Sequence, residues 1–372
     1  MISEGALRGY LLEEVLAWLL RSSGYEVLTA QDDGEQPPWK TLEERNHGLV
    51  VRGRGAWHQA DTLGQFRFVP PFSLPVRLFV EAKFTQTKVR LSTVRNGHGV
   101  LHDVNENVMT TIATHSGPRR PRTRYRYSYA IFCTSGFSQD AQEFALAHQI
   151  SLVDLSVPDF AHLRDLVRTA AKDVHTAMQA LPATDLPTVN EIRNYLRGPL
   201  LNLSRQPTAT EPSVTAPLDV LAESLYSRSA LGLILAFPAA PFVLGLASDD
   251  LYGFVHYALQ HPTHSIRLRR LKQAGPHPVW QIRSENDPAA YALTFGLPEQ
   301  VEAWILDQET TTSSRMRWVK ESMLSAMTLY WMDGDHAHTF QLRYRPQEII
   351  AQSTGDLTSW PLADDLPHPP TA

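Results

Sequence analysis

One stretch, PVRLFVEAKF from Pro75 to Phe84, constrains what this chain can fold into more than any other. Val76, Leu78, Val80 and Ala82 alternate with Arg77, Phe79, Glu81 and Lys83, the two-residue period of a sheet strand. Glu81 and Lys83 therefore emerge on one face. An acid and a lysine on an otherwise apolar strand are costly to desolvate, so something must compensate them. Either they pair across the face of a half-exposed strand, or they share a cation with Asp61, which lies upstream in HQADTLG.

The flanking segments read as alternating elements. Leu7–Ser23 predicts a helix closed by Gly24 and followed by a strand-like YEVLTA. At about 100° per residue, Leu12, Val15, Leu16, Leu19 and Leu20 form one apolar face. Glu13 falls at the edge of that face, toward the sheet, and Glu14 falls on the far side near Arg21, as a solvated acid. HGLVVRGRG reads as a strand, and Asp61 sits in a turn before a second extended piece. Val100, Val104, Val108 and Ile112 recur every fourth residue and predict a helix through Ile112. His98 and His102 have the spacing of a helical zinc pair, with no third ligand nearby in sequence. Tyr129–Cys133, Gln139–His148 and Ile150–Asp154 parse as strand, helix and strand, which predicts a parallel pair in a layered α/β core.

Helices follow at Asp159–Ala180 and Asn190–Ser204, then RQPTATEPSVTAP, a Pro/Thr/Ser-rich stretch with the composition of a linker. Beyond Leu218, strands are expected at Ala230–Phe237, Phe242–Ala247, Ser265–Leu271, Pro278–Ile282, Ala290–Thr294, Met327–Trp331 and Thr339–Tyr344. Helices are expected near Asp249–Leu259, Pro298–Leu306 and Ser314–Ser325, giving a mostly antiparallel α+β region. The uncharged Ala230–Ala247 contains Pro238 and Pro241, so two strands joined at Pro-Ala-Ala-Pro account for it better than a membrane span.

At 372 residues and 43% hydrophobic content, the chain can build two cores, which sets the expectation of two domains. The lone Cys133 excludes a disulfide framework within the chain and fits a reducing cytoplasm, and the opening MISEGALRGY is not a signal peptide. No GxxxxGK, GxSxG or HExxH occurs, which removes the usual ATPase, serine hydrolase and zinc-protease readings. His261, His264, His336 and His338 are read as turn and loop residues. Net charge is −5, so any nucleic-acid contact must be local. Arg119, Arg120, Arg122, Arg124 and Arg126 in GPRRPRTRYRY form the densest basic run, either a nucleic-acid surface or a solvated loop.

Glu13, Asp61 and Glu81-Ala82-Lys83, in that order, resemble the PD-(D/E)xK or restriction-endonuclease-like superfamily, and more narrowly its Mrr-like branch. Glu13 lies eleven residues before Gly24, as the glutamate of that branch's opening helix does, and Glu14 does not. VEAKF resembles the (D/E)xK strand, and AIFCTSGFSQDAQEFALAHQISLVDLS resembles the segment that follows the catalytic strands. The resemblance covers roughly Met1 to Arg168. It departs from the family at RGRGAWHQAD before Asp61, and at an insertion with Pro70 and Pro71 between Asp61 and Glu81.

The resemblance implies a restriction-endonuclease-like α/β domain, a mixed sheet flanked by helices, over residues 1–175. A helical connector and linker at 176–217 and an α+β domain at 218–360 would complete the chain. It further implies that Asp61, Glu81 and the Ala82 carbonyl hold Mg²⁺, with Mn²⁺ as a substitute. Lys83 would activate or orient water, and Glu13 would serve the metal's outer shell or a second ion. The implied activity is DNA hydrolysis, as in restriction or anti-phage defence, by a homodimer or with a defence partner, and with the C-terminal region sensing the invader. The competing expectation is a catalytically silent fold that binds nucleic acid or a partner.

Overall fold

A computed structural model describes residues 1–45, 48–69, 71–114, 117–201, 210–226, 232–240, 242–271, 278–306, 312–333 and 336–346. The first half of the chain runs α1 (Glu4–Ser22), β1 (Tyr25–Val27), β2 (Leu42–Arg45), β3 (Gly48–Arg52), β4 (Trp57–Gln59), β5 (Thr62–Phe66), β6 (Val76–Lys83), α2 (Leu91–Asn105), β7 (Thr111–Thr114), β8 (Gly117–Pro121), β9 (Arg126–Cys133), α3 (Gln139–His148) and β10 (Ser151–Asp154). Five of these strands form one mixed sheet in the order β1-β5-β6-β9-β10. The β1–β5 and β5–β6 pairs are antiparallel, and β6–β9 and β9–β10 are parallel. The expected strand–helix–strand unit is therefore present, with its strands parallel.

Both faces of β6 are covered. Leu78 and Val80 join the α1 leucines and, from β9, Ala130 and Phe132 in one core. Phe79 joins Tyr129, Ile131, Val94 and Ala141 in another, beneath α2 and α3. Even Arg77 is buried; it donates to Gln65 Oε1 and to the Tyr127 hydroxyl and lies over the Tyr125 ring. A strand covered on two sides can carry unpaired charge only where its cover ends, and Glu81 and Lys83 occupy that end.

Two readings of local structure need correction. The helix predicted through Ile112 begins earlier and stops at Asn105: Val108 is 52% exposed and Ile112 belongs to β7. Asn105 explains the stop, because its side chain accepts from Tyr127 N and donates to Tyr127 O, tying the helix end to β9. The linker-like stretch is also partly helical. After α4 (Ala161–Gln179) and α5 (Val189–Leu200), residues Pro212 to Pro217 form the start of α6 (Pro212–Tyr226), and 205–209 lie outside the described residues. Val214, Leu218 and Leu221 of α6 pack with Val167, Ile192 and Leu196 onto the α1 core, so apolar spacing outweighs the proline content.

The remainder comprises β11 (Leu233–Pro238), β12 (Leu244–Ala247), α7 (Leu251–Gln260), β13 (Thr263–Leu271), β14 (Val279–Ser284), β15 (Leu293–Phe295), α8 (Glu299–Leu306), α9 (Thr312–Trp318), β16 (Ala326–Asp333) and β17 (His336–Tyr344). Every strand expected after Leu218 is present, and they close into a barrel in the order β11-β12-β15-β14-β13-β17-β16. A closed ring of seven strands cannot alternate direction throughout, so at least one neighbouring pair must run parallel; here it is β13–β17. Leu233–Ala236 pair with Leu244–Ala247, as the proline-turn reading requires, although 230–231 and 241 lie outside the described residues. No described helix is long and apolar enough to cross a membrane.

Gly97 of α2 tests this packing. A Cβ there would lie 2.7 Å from the Tyr129 ring on β9, too close for either element to accept unmoved. Gly97→Ala is expected to cost about 1–3 kcal/mol despite its better helix propensity, measured by thermal or urea unfolding. An unchanged midpoint would show that α2 does not press on β9.

Candidate active site

Asp61 immediately precedes β5, and the register Thr62↔Val80 continues to bring it beside Glu81 at the end of β6. Its Oδ2 accepts a hydrogen bond from the Ala82 amide at 2.9 Å. The prolines of the insertion therefore lengthen the hairpin tip without separating the two acids; Pro70 itself lies outside the described residues. Glu81 Oε1 lies 2.7 Å from Lys83 Nζ, so the cross-face ion pair anticipated for this strand exists. Its other oxygen, Oε2, accepts from the Tyr129 hydroxyl at 2.6 Å.

Glu13 approaches from α1, where the Thr62 hydroxyl donates to its carbonyl at 3.3 Å. Its carboxylate lies 2.7 Å from Arg193 of α5. Glu14 is not the solvated acid expected: it is only 2% exposed, with Arg193 Nε at 2.7 Å and Arg197 Nε at 2.6 Å. The helical wheel assumed water on that side of α1, whereas α5 covers it. Arg193 thus spans both glutamates. Glu13, Asp61 and Arg193 line one open cleft together with Glu44, Thr29 and Leu49.

Electrostatics follow from this sharing. Burial pushes Glu13 up to about 7, and Asp61 and Glu14 add to the rise while Arg193 and Arg197 oppose it. One guanidinium divided between two carboxylates does not compensate both. Burial also raises Asp61, against the Ala82 amide and Lys83, which lower it. Burial works against the Lys83 ammonium, but the hydrogen bond and charge of Glu81, with Asp61 and Glu13, outweigh it and raise its pKa. Burial, followed by the charge of Glu81, holds the Tyr129 phenol protonated.

Among the described residues, no group of three or more His, Cys, Asp or Glu side chains is arranged to hold one metal ion. The donor chemistry nonetheless fits a hard divalent cation: two carboxylates and a backbone carbonyl on adjacent strands, with Asp61 using only Oδ2 on an amide. His98 and His102 stack 6.5 Å apart, and His98 lies 4.3 Å from the ring of His148, which sequence spacing did not connect to them. Of the histidines expected in turns and loops, only His261 lies outside a strand: His264 is buried on β13, where it bonds the His261 carbonyl and the Tyr291 hydroxyl, and His336 and His338 lie on β17, because the strands extend further than their local signal.

The arginine run divides. Arg119 and Arg120 lie on β8 of the β7–β8 hairpin, and Arg119, Arg124 and Arg126 are exposed. Arg120 lies 2.5 Å from Glu35, and Arg122, nearly buried, lies 3.9 Å from the same carboxylate. Arg120 is itself exposed, and the one carboxylate offsets only one of these two charges. Sequence reasoning missed Arg193, Arg197 and Tyr129 as parts of the site: the arginines come from a helix more than a hundred residues away, and a tyrosine on a buried strand looks like core.

No family model matches the chain, and no curated protein matches it. Among solved structures, one described as a protein of unknown function, AF1548, aligns over 58% of this chain and 99% of its own. The identity is 17% and the TM-score 0.30, a likeness too low to carry an argument.

Two outcomes follow. Removing one partner from a buried ion-pair network leaves uncompensated charge, so Glu14→Gln is expected to destabilise by about 3–5 kcal/mol in chemical unfolding. Glu13 has the opposite sign. Its folded pKa lies above the unfolded 4.5, so the folded state binds the extra proton, and stability falls as pH rises from 4.5 through about 7. Glu13→Gln should flatten that part of the stability–pH curve by on the order of 1–3 kcal/mol. An unchanged curve would mean that Glu13 ionises normally.

Proposed function

We propose that this protein is a metal-dependent endonuclease that hydrolyses DNA, with a restriction-endonuclease-like, Mrr-like N-terminal domain. The observation that carries the reading is the clustering of Asp61, Glu81 and Lys83 at one end of the central strand, with Asp61 fastened to the amide between Glu81 and Lys83. Fold alone would not support it, because such scaffolds host many functions.

Asp61, Glu81 and the Ala82 carbonyl would hold Mg²⁺, with Mn²⁺ as a substitute. When bound, the ion supplies Lewis-acid stabilisation of charge on the scissile phosphate and the leaving oxygen. The residues of the chain divide the remaining work. Lys83 stays an ammonium at neutral pH because its neighbours raise its pKa, so it orients water or a phosphate oxygen by donating hydrogen bonds and takes no proton. Tyr129 fixes the rotamer of Glu81 through its hydroxyl. Glu13, at about 7, has the proton affinity that suits a general base near neutral pH. Arg193 holds Glu13 in position from α5. A cytoplasmic role in restriction or anti-phage defence accords with this chemistry.

A second reading has its own observation. Both Glu81 oxygens are engaged by Lys83 and Tyr129, and Glu13 is engaged by Arg193, as in a site that has exchanged catalysis for internal pairing. It would leave a nuclease-like subunit that binds nucleic acid or a partner without cutting.

The test is incubation of the full chain with plasmid, linear and single-stranded DNA and with RNA, in Mg²⁺, Mn²⁺ or EDTA. DNA should be nicked or cut only with a divalent ion. Glu81→Ala and Lys83→Ala should each lower the rate by roughly 10²–10⁴-fold, with the melting temperature little changed. Cleavage in EDTA, or at full rate in Glu81→Ala, would end the nuclease reading. Binding in Ca²⁺ with no turnover in Mg²⁺ would favour the second.

A further inference from the structure

The barrel carries a concentration of positive charge that the nuclease reading does not use. Along β13, Ile266 and Leu268 point into the core while Arg267 and Arg269 are exposed. On β14, Trp280 and Ile282 point inward, and Gln281 and Arg283 lie on the outer side. The register sets Arg267 directly opposite Arg283. Like charges facing each other across an antiparallel pair destabilise a sheet, so this arrangement costs the barrel stability.

No internal partner offsets that cost. Arg283 donates only to neutral acceptors, Gln281 Oε1 at 3.0 Å and the Pro288 carbonyl at 2.8 Å. Among the described residues, no carboxylate lies within ion-pair distance of Arg267, Arg269, Arg283 or Arg345. The same groove is lined by Arg317, Lys320 and Arg345, with Tyr344 at its wall. Lys320 Nζ donates to the Leu268 carbonyl and lies 5.8 Å from the Tyr344 ring centre, which holds its charge at the groove. Glu285 is the one acid lining the groove, and Glu321 is occupied by Arg317 at 2.7 Å. With Arg317 and Glu321 offsetting each other, five lining cations face one lining acid, a strong local excess in a chain of net charge −5.

We propose that this groove on the outer face of β13 and β14 binds the phosphate backbone of duplex DNA, as a second contact surface on the barrel. Its cations come from β13, β14, α9, the π-helical turn Val319–Met323 and the chain after β17, a spread that suits a polymer better than a single small anion. Arginine suits phosphate recognition, and an aromatic wall beside it is common on nucleic-acid surfaces. The choice of DNA as occupant rests on the nuclease reading; the uncompensated charge does not. Arg120 and Arg122 share the single carboxylate of Glu35, so the β8 run keeps part of its charge and this groove adds a second cationic surface to it.

The test measures binding of the full chain to labelled duplex DNA by fluorescence anisotropy in Ca²⁺ across a salt series. Substituting Arg267→Gln, Arg269→Gln and Arg283→Gln together should lower the slope of log affinity against log salt by about 2–3 units, equally on all sequences. The melting temperature should hold or rise, because a like-charge pair is removed. A folded triple variant with an unchanged slope overturns the proposal. Should the triple variant fail to fold, the exposed pair Arg269→Gln and Arg345→Gln is expected to lower the slope by about 1–2 units, and no change there overturns it equally. Wild-type protein that binds with a steep slope but never cleaves in Mg²⁺ sinks the nuclease reading and leaves the groove standing. Wild-type protein that cleaves while the variants bind unchanged sinks the groove alone, and wild-type protein that binds no DNA sinks it outright.

Discussion

Burial of β6 on both faces decides where charge can sit in the first half of this protein. Inside the sheet, a side chain on this strand must be apolar or, like Arg77, fully engaged with acceptors and an aromatic ring. Only past Val80 does the cover thin, and there the chain places an acid, an alanine and a lysine in succession. The β5 hairpin then adds Asp61 at the same level, because antiparallel register leaves it nowhere else to go. The candidate site is thus the sheet's own boundary, and its position follows from packing before any chemistry is considered.

The same boundary explains why α5 matters. Glu13 and Glu14 are adjacent on α1, so they project in different directions, and both would be left in low dielectric without a cation. Arg193 and Arg197, one helical turn apart on α5, supply it. Arg197 is committed to Glu14, whereas Arg193 is divided, and Glu13 is left under-compensated next to Asp61. Burial therefore raises the proton affinity of Glu13, and the divided Arg193 offsets that rise only in part. Helices α4 to α6 therefore do more than join two parts of the chain: they complete the shell around α1 and set the charge state of the cleft.

Elements whose signal is local were legible in the sequence. Alternation along Pro75–Phe84, the strand–helix–strand run through Asp154 and the seven strands after Leu218 each rest on spacing over a few residues. What escaped depends on distant partners. The solvated reading of Glu14 failed because a wheel drawn on one helix cannot show that another helix covers its polar side. The helix extended to Ile112 failed because Asn105 ends it through Tyr127, a residue on another strand. The linker reading of Pro212–Pro217 failed for a related reason: Pro212 sits in the first turn of the helix, where no amide hydrogen bond is lost, Pro217 lies inside the helix, and the apolar contacts of Val214 and Leu218 outweigh the bond it removes. Barrel closure was invisible because it depends on which strand ends meet, and the β13–β17 pairing joins residues as distant in sequence as Thr263 and Gln341.

Closure also has an electrostatic consequence. In an open sheet, an outward row such as Arg267, Arg269 and Arg283 could be relieved by splaying at an edge. In a closed barrel every strand is held by two neighbours, and the alternation that sends Ile266, Leu268, Trp280 and Ile282 inward fixes the arginines outward at set spacing. The apolar interior, with Trp280, Phe295 and Phe340 fully buried, is strong enough to sustain that repulsion. The charge is then preorganised: on the binding proposed above, a polyanion would meet cations already held in register, and phosphates placed between them would relieve the repulsion.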